Sequence, residues 1–243
     1  MGDETMDSTE EKVWQGDPAG LQEQLTQARK LKHEGKLLDA YCMYASAYYS
    51  HYTSELNRNP FRALYEFWLA RQYAWRAFKH SAKAATEPSY GQCEVLASVF
   101  LEGWLWLRPD VSLAMSFLHE GLSQPDVPPH ARALMTIGKA KGYCLLGNRK
   151  QSEEMALQAL SYEDDIKTES DQVQAHRQFT RVLRRAMTLA HTYDGYENVL
   201  EFHSRALRMA RDPRWRSRDQ INKIYGEWRR GHRSPLAQAF LPY

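Results

Sequence analysis

The 243-residue sequence holds only three cysteines, Cys42, Cys93 and Cys144. No pair has metal-site or redox-dithiol spacing, and an odd count argues against a disulfide framework. Each cysteine sits in an apolar helical pattern, which predicts buried free thiols and fits a reducing compartment. Long apolar runs are also missing. The longest, Val95 to Leu107, is broken by Glu102 and is too short to span a bilayer. The N-terminus is acidic and polar, without the apolar core of a secretion signal, so the expected location is intracellular, cytoplasmic or nuclear. Nor does one sign of charge dominate: the formal net charge is +2.

Catalytic motifs are absent as well. The sequence has no glycine-rich phosphate loop, no nucleophile elbow and no metalloprotease His-Glu pair. Its nine histidines are scattered, and no two lie four apart as ligands on one helix face would. The adjacent carboxylates Glu153-Glu154 and Asp164-Asp165 read as solvated positions at a helix start and in a loop. The expectation is a chain without cofactor or metal that is not an enzyme.

Aromatic residues are abundant, at 12% with seven Trp and 14 Tyr. A helical core accounts for most of them, and a stacking or ligand surface is the sharper alternative. Charge is unevenly spread. Residues 1–12 carry Asp3, Glu4, Asp7, Glu10 and Glu11 against Lys12. Residues 205–233 carry ten Arg or Lys against Asp212, Asp219 and Glu227.

From Leu21 onward the apolar period is helical throughout, with Pro or Gly punctuation between segments. A first helix bearing Leu21, Leu25, Ala28 and Leu31 stops near Gly35. A second, apolar nearly all round, carries Leu37, Ala40, Tyr44, Ala47 and Tyr48. After Asn59-Pro60 comes one long helix with a stripe of Phe61, Tyr65, Trp68, Trp75 and Phe78. Ser89 and Gln92 form a capping box for a helix expected to run through Trp104 to Arg108-Pro109. Pro129 starts another helix, which turns at Gly147-Asn148 into Ser152 to Leu160. Residues 161–169 read as an acidic connection. A long helix is expected over 171–193, with Phe179, Val182, Leu183 and Ala186 inward, and two more helices follow. The expected organisation is an acidic leader over 1–18, a helical repeat domain over 19–231 and an apolar tail over 232–243.

Small residues recur at regular steps. Ala28, Leu31, Gly35, Ala40, Tyr44 and Ala47 return at the same offsets as Ala140, Tyr143, Gly147, Ser152, Ala156 and Ala159. On these residues the chain resembles the tetratricopeptide repeat family, well over 21–52 and 133–161, weakly over 95–123 and 180–211, and least over 60–86. The resemblance implies an all-α, right-handed solenoid of about five helical hairpins that binds other proteins.

It also implies that the first helix of each pair lines a concave groove. Leu25, Arg29, Lys32, Lys141, Arg181 and Arg184 would then share one surface, suited to an acidic partner segment. The resulting reading is an adaptor, scaffold or chaperone-like module, which the aromatic content and apolar tail also make compatible with membership of a larger assembly. Two other readings stay open. Arg205, Arg208 and Arg211 recur every three residues, and Arg214, Arg216, Arg218, Arg229 and Arg230 lie beside Trp215 and Trp228, a pattern that could bind nucleic acid. Trp68, Trp75, Trp104 and Trp106 could instead wall a small-molecule pocket in a sensor or enzyme.

Overall fold

The computed structural model describes residues 18–56, 58–104 and 107–169, together with residues 178, 179, 181–183, 185, 186, 188 and 189. It holds eight bounded helices and, among the described residues, no β-strand. The residues divide into two compact units, with the boundary between Asp110 and Val111.

In the first unit, α1 (Pro18–His33) is followed by α2 (Leu37–Glu55), and the two pack together as a helical hairpin. Gly35 makes the turn with φ +80, a conformation that costs a side chain dearly and glycine nothing. Leu21, Leu25 and Ala28 bury against Tyr44 and Ala47. The Asn59 side chain then accepts from the Arg62 N–H at 3.1 Å, and Pro60 supplies the first turn of α3 (Pro60–Ala84). This helix runs 25 residues without a break. Ala63, Ala70, Ala74 and Ala77 are fully buried along it and Ala40, Ala45 and Ala47 along α2, so the two helices can approach closely. α4 (Tyr90–Leu101) starts at the expected capping box: Ser89 and Gln92 each take the other's backbone N–H. It packs on both α2 and α3.

The chain leaves α4 earlier than its apolar pattern suggests. Glu102 is extended, and Trp104 and Leu107 exchange backbone hydrogen bonds of 2.9 and 2.8 Å. This turn sets Trp104 into the core beside Tyr52, Ala63 and Phe67. The cause lies at Gly103, where a Cβ would stand 2.4 Å from Pro109 Cδ. The ring carbon is fixed to the backbone and cannot step aside, so only glycine lets the loop close. Gly103→Ala is expected to cost about 2 kcal/mol or more through displacement of this loop. Urea unfolding checks it: a midpoint equal to that of the unsubstituted protein would contradict the close contact.

The second unit contains α5 (Val111–Ser123), α6 (Pro129–Leu145), α7 (Arg149–Ser161) and α8 (Glu163–Glu169). α6 packs on α5, α7 and α8. Gly147, at φ +77, turns α6 into α7, and the Asn148 side chain caps α7 at the Gln151 N–H. The Ser152 hydroxyl donates to the Ala140 carbonyl at 2.7 Å, bonding the crossing of the two helices directly. Phe179, Val182, Leu183 and Ala186 are buried on helical backbone with Leu160 and Ile166, inward as expected. Residues 163–169, expected as a connection, are helical. Glu163, Asp164 and Asp165 stand in the first turn of α8, where carboxylates favour a helix N-terminus, and Ile166 is fully buried. No helix among the described residues is long and apolar enough to cross a membrane. The acidic leader up to residue 17, the helices expected beyond 193 and the tail over 232–243 lie outside the described residues.

Candidate functional site

The first unit carries a face built from three helices. Tyr44 and Tyr48, one turn apart on α2, both stack on Tyr73 of α3, at centroid distances of 4.5 and 5.9 Å. Tyr41 stands against the same ring at 6.5 Å. Two exposed arginines frame this tyrosine floor. Arg29 of α1 stands close enough to the Tyr44 hydroxyl to pull its pKa down. The Arg76 guanidinium lies 5.1 Å over the Tyr73 ring. Toward the start of α3 the aromatic surface continues outward: Phe61 is 86% exposed, Tyr65 59% and Trp68 42%, and Tyr65 stacks on Trp68. Large rings held this far out of the core are uncommon on a surface that meets only water.

Burial pushes the Tyr44 hydroxyl up, with Tyr73 adding to the shift and Arg29 pulling against it. Burial does the same to Tyr48. Both hydroxyls therefore stay protonated; Tyr44 is itself a core residue, 8% exposed, so the half-buried Tyr48 is the one placed to donate to a carboxylate, while the arginines carry the positive charge. Stacked tyrosines lose little side-chain entropy when they are covered, and Tyr and Arg are the residues that anchor protein interfaces.

A fully buried polar pair lies near the outer end of this face. His51 on α2 is completely buried, and its Nδ1 meets Glu66 Oε2 of α3 at 2.5 Å. Glu66 Oε1 accepts from the Arg62 Nε at 2.9 Å. The pair locks α2 to α3 beneath the exposed rings.

Of the residues assigned to a groove, Arg29 and Lys32 are exposed on α1, and Arg29 belongs to the tyrosine face. Leu25 is a core residue, 5% exposed against Leu21 and Tyr44, and presents no surface to a partner. It points inward because it shares the helix face of Leu21 and Ala28. Lys141 and Arg181 are half-buried in the second unit. Arg184 and the basic set Arg205, Arg208, Arg211, Arg214, Arg216, Arg218, Arg229 and Arg230 lie outside the described residues. The sequence reading missed Tyr48, Tyr73 and Arg76 as site residues, because their meeting depends on the packing of α2 on α3.

The three described tryptophans occupy different surroundings. Trp68 is on the surface, Trp75 packs edge-on to Phe78 and Phe100, and Trp104 is buried beside Tyr52. Trp106 is outside the described residues. A cleft of about 490 Å³ does open in this unit, lined by polar side chains such as Gln24, Asp39 and Gln92 together with Leu31, Met43 and Val95, and none of these tryptophans borders it. No group of three or more His, Cys, Asp or Glu side chains that could hold a metal occurs among the described residues.

Cys42, Cys93 and Cys144 are buried thiols, none of them in a disulfide. Burial, then Asp39 and Cys93, pushes the Cys42 thiol from 9.0 to about 12. Folded protein therefore holds this proton where unfolded chain releases it. The stabilisation is complete below pH 9 and is lost as pH rises from 9 toward 12, at about 1 kcal/mol per pH unit from this thiol. The upward shifts of Tyr44, Tyr48 and Tyr52 act in the same direction. Chemical denaturation over this alkaline range is expected to show a steady fall, smaller in Cys42→Ala. A flat profile would contradict the buried thiol.

Compared with protein-family models, curated proteins and solved structures, the chain matches none.

Proposed function

We propose that this chain is a non-enzymatic protein-interaction module, a helical-hairpin scaffold of tetratricopeptide-like kind. It captures an acidic segment of another protein on the face formed by α1, α2 and α3. One observation carries the reading: the Tyr44–Tyr73–Tyr48 stack is bracketed by exposed Arg29 and Arg76. The half-buried Tyr41, Tyr48 and Tyr73 offer ring area and hydroxyl donors above the buried Tyr44, and the guanidiniums offer paired donors that match a carboxylate. Lys32, also exposed on α1, adds to the positive charge. A ligand with Asp or Glu flanking an apolar or aromatic residue complements all three components.

The test is an array of immobilised peptides in which acidic segments, their amide counterparts and basic segments are probed with the full chain. Acidic peptides are expected to be retained, and Arg29→Glu with Arg76→Glu to weaken retention about tenfold or more. Both arginines are exposed, so the variant keeps its helical circular dichroism. Equal retention of acidic and basic peptides, or no response to the double substitution, would overturn the proposal.

A further inference from the structure

The exposed side of α3 has an internal symmetry of which the tyrosine face uses only Arg76. Seven residues form it: Phe61, Tyr65, Trp68, Gln72, Arg76, Lys79 and Lys83, all exposed. Their spacing is four, three, four and again four, three, four. An eleven-residue recurrence averages about 3.67 residues per turn, so the row runs almost straight along the helix. At about 1.5 Å per residue it extends roughly 33 Å. Gln72 is its midpoint. Trp68 and Arg76 stand four residues to either side, Tyr65 and Lys79 seven, and Phe61 and Lys83 eleven. Every aromatic residue on one half thus has a cation at the mirrored position on the other.

We infer that this face is the self-complementary surface of a two-fold dimer, its occupant being α3 of a second copy laid antiparallel. A two-fold axis through Gln72 places Trp68 of each copy against Arg76 of the other, Tyr65 against Lys79 and Phe61 against Lys83. Six cation–ring pairs follow, and the two glutamine amides meet at the axis. The Arg76 guanidinium already lies 5.1 Å over its own Tyr73 ring, and a planar guanidinium can take a ring on each side. Lysine stems cover apolar surface while their ammonium groups reach water at the edges. The parallel alternative would stack Arg76 on Arg76, Lys79 on Lys79 and Lys83 on Lys83, so like-charge repulsion selects the antiparallel register. Antiparallel helix dipoles favour the same choice. A seam of one helix per copy is smaller than a standard stable interface, so the dimer is weak and depends on concentration.

Sedimentation velocity of the full chain from about 2 to about 200 µM is expected to show a monomer–dimer equilibrium. Trp68→Arg sets arginine against arginine and should lower the association constant about tenfold or more. The exchanged pair, Trp68→Arg with Arg76→Trp, restores ring against cation only in the antiparallel register and should recover dimerisation. Both positions are exposed, so neither variant disturbs the core. Gln72→Cys should form an intermolecular disulfide under mild oxidation, since the native cysteines are buried. A monomer at every concentration would overturn the inference and leave the face to a different protein. A dimer indifferent to Trp68→Arg, or one not rescued by the exchange, would overturn it equally. Trp68→Arg leaves Arg29 and Arg76 in place, so acidic-peptide retention by that variant reads the proposed function separately from dimerisation.

Discussion

Replacing Glu66 with alanine is expected to destabilise the first unit by about 3 kcal/mol. His51 is fully buried, and its Nδ1 has Glu66 Oε2 as partner at 2.5 Å. A carboxylate oxygen opposite Nδ1 makes that nitrogen the donor, and no hydrogen-bond partner faces Nε2. Removing the carboxylate leaves both ring nitrogens without partners inside the helix pair, and a void beside them. An orphaned buried polar group costs about 1–3 kcal/mol, and the lost packing adds to it. Glu66→Gln keeps an acceptor for the Nδ1–H and should cost only about 1 kcal/mol. Arg62, with its side chain 45% exposed, contributes little, so Arg62→Ala should stay within about 0.5 kcal/mol of the unsubstituted protein. Urea titration of the three variants checks the order. Equal effects from Glu66→Ala and Arg62→Ala would place the stabilisation on the surface pair and contradict this account.

A leucine at Ala140 should act as strongly on the second unit. Ala140 is fully buried where α6 crosses α7, its carbonyl accepts from the Ser152 hydroxyl at 2.7 Å, and Ala156 and Ala159 belong to the same core. Three extra carbons cannot enter without separating the helices, which breaks the Ser152 bond as well. The expected loss is about 3 kcal/mol, against less than about 1 for Ala140→Gly once relaxation is allowed. Thermal unfolding that treats Ala140→Leu as neutral would mean that α6 and α7 do not cross closely there.

Much of the helical order is written locally and was legible for that reason. Gly35, Gly147, Asn59-Pro60, Ser89 with Gln92, and Pro129 each act within a few residues of their own position. The boundaries they set for α1 to α4 and for α6 and α7 hold. The ends of two segments were misread because distant contacts or electrostatics decide them. Trp104 continued an apolar helical pattern, yet the fit of Gly103 against Pro109 turns the chain at Glu102. Glu163, Asp164 and Asp165 looked like solvated loop residues, although acids in that position start a helix, and Ile166 anchors it.

The α3 stripe shows a different gap. Periodicity finds a face without saying which way it points. Small residues and Phe67 took the inward side of α3, while Phe61, Tyr65 and Trp68 were left outside. Arg29 was legible as a surface cation, but its meeting with Tyr44, Tyr48, Tyr73 and Arg76 joins three helices and has no local signature. His51 and Glu66, fifteen residues apart on different helices, are invisible to spacing rules in the same way.

Reversing charge on both sides of the contact tests the central claim most directly. Fluorescence anisotropy would follow two labelled peptides of one design, one carrying Glu and the other Lys around the same aromatic residue. Unsubstituted protein should prefer the acidic peptide, and Arg29→Glu with Arg76→Glu should prefer the basic one, while Lys150→Glu on α7 should change neither. A preference that does not invert in the double variant, or one that Lys150→Glu moves as far, would show that the tyrosine–arginine face is not where the acidic segment binds.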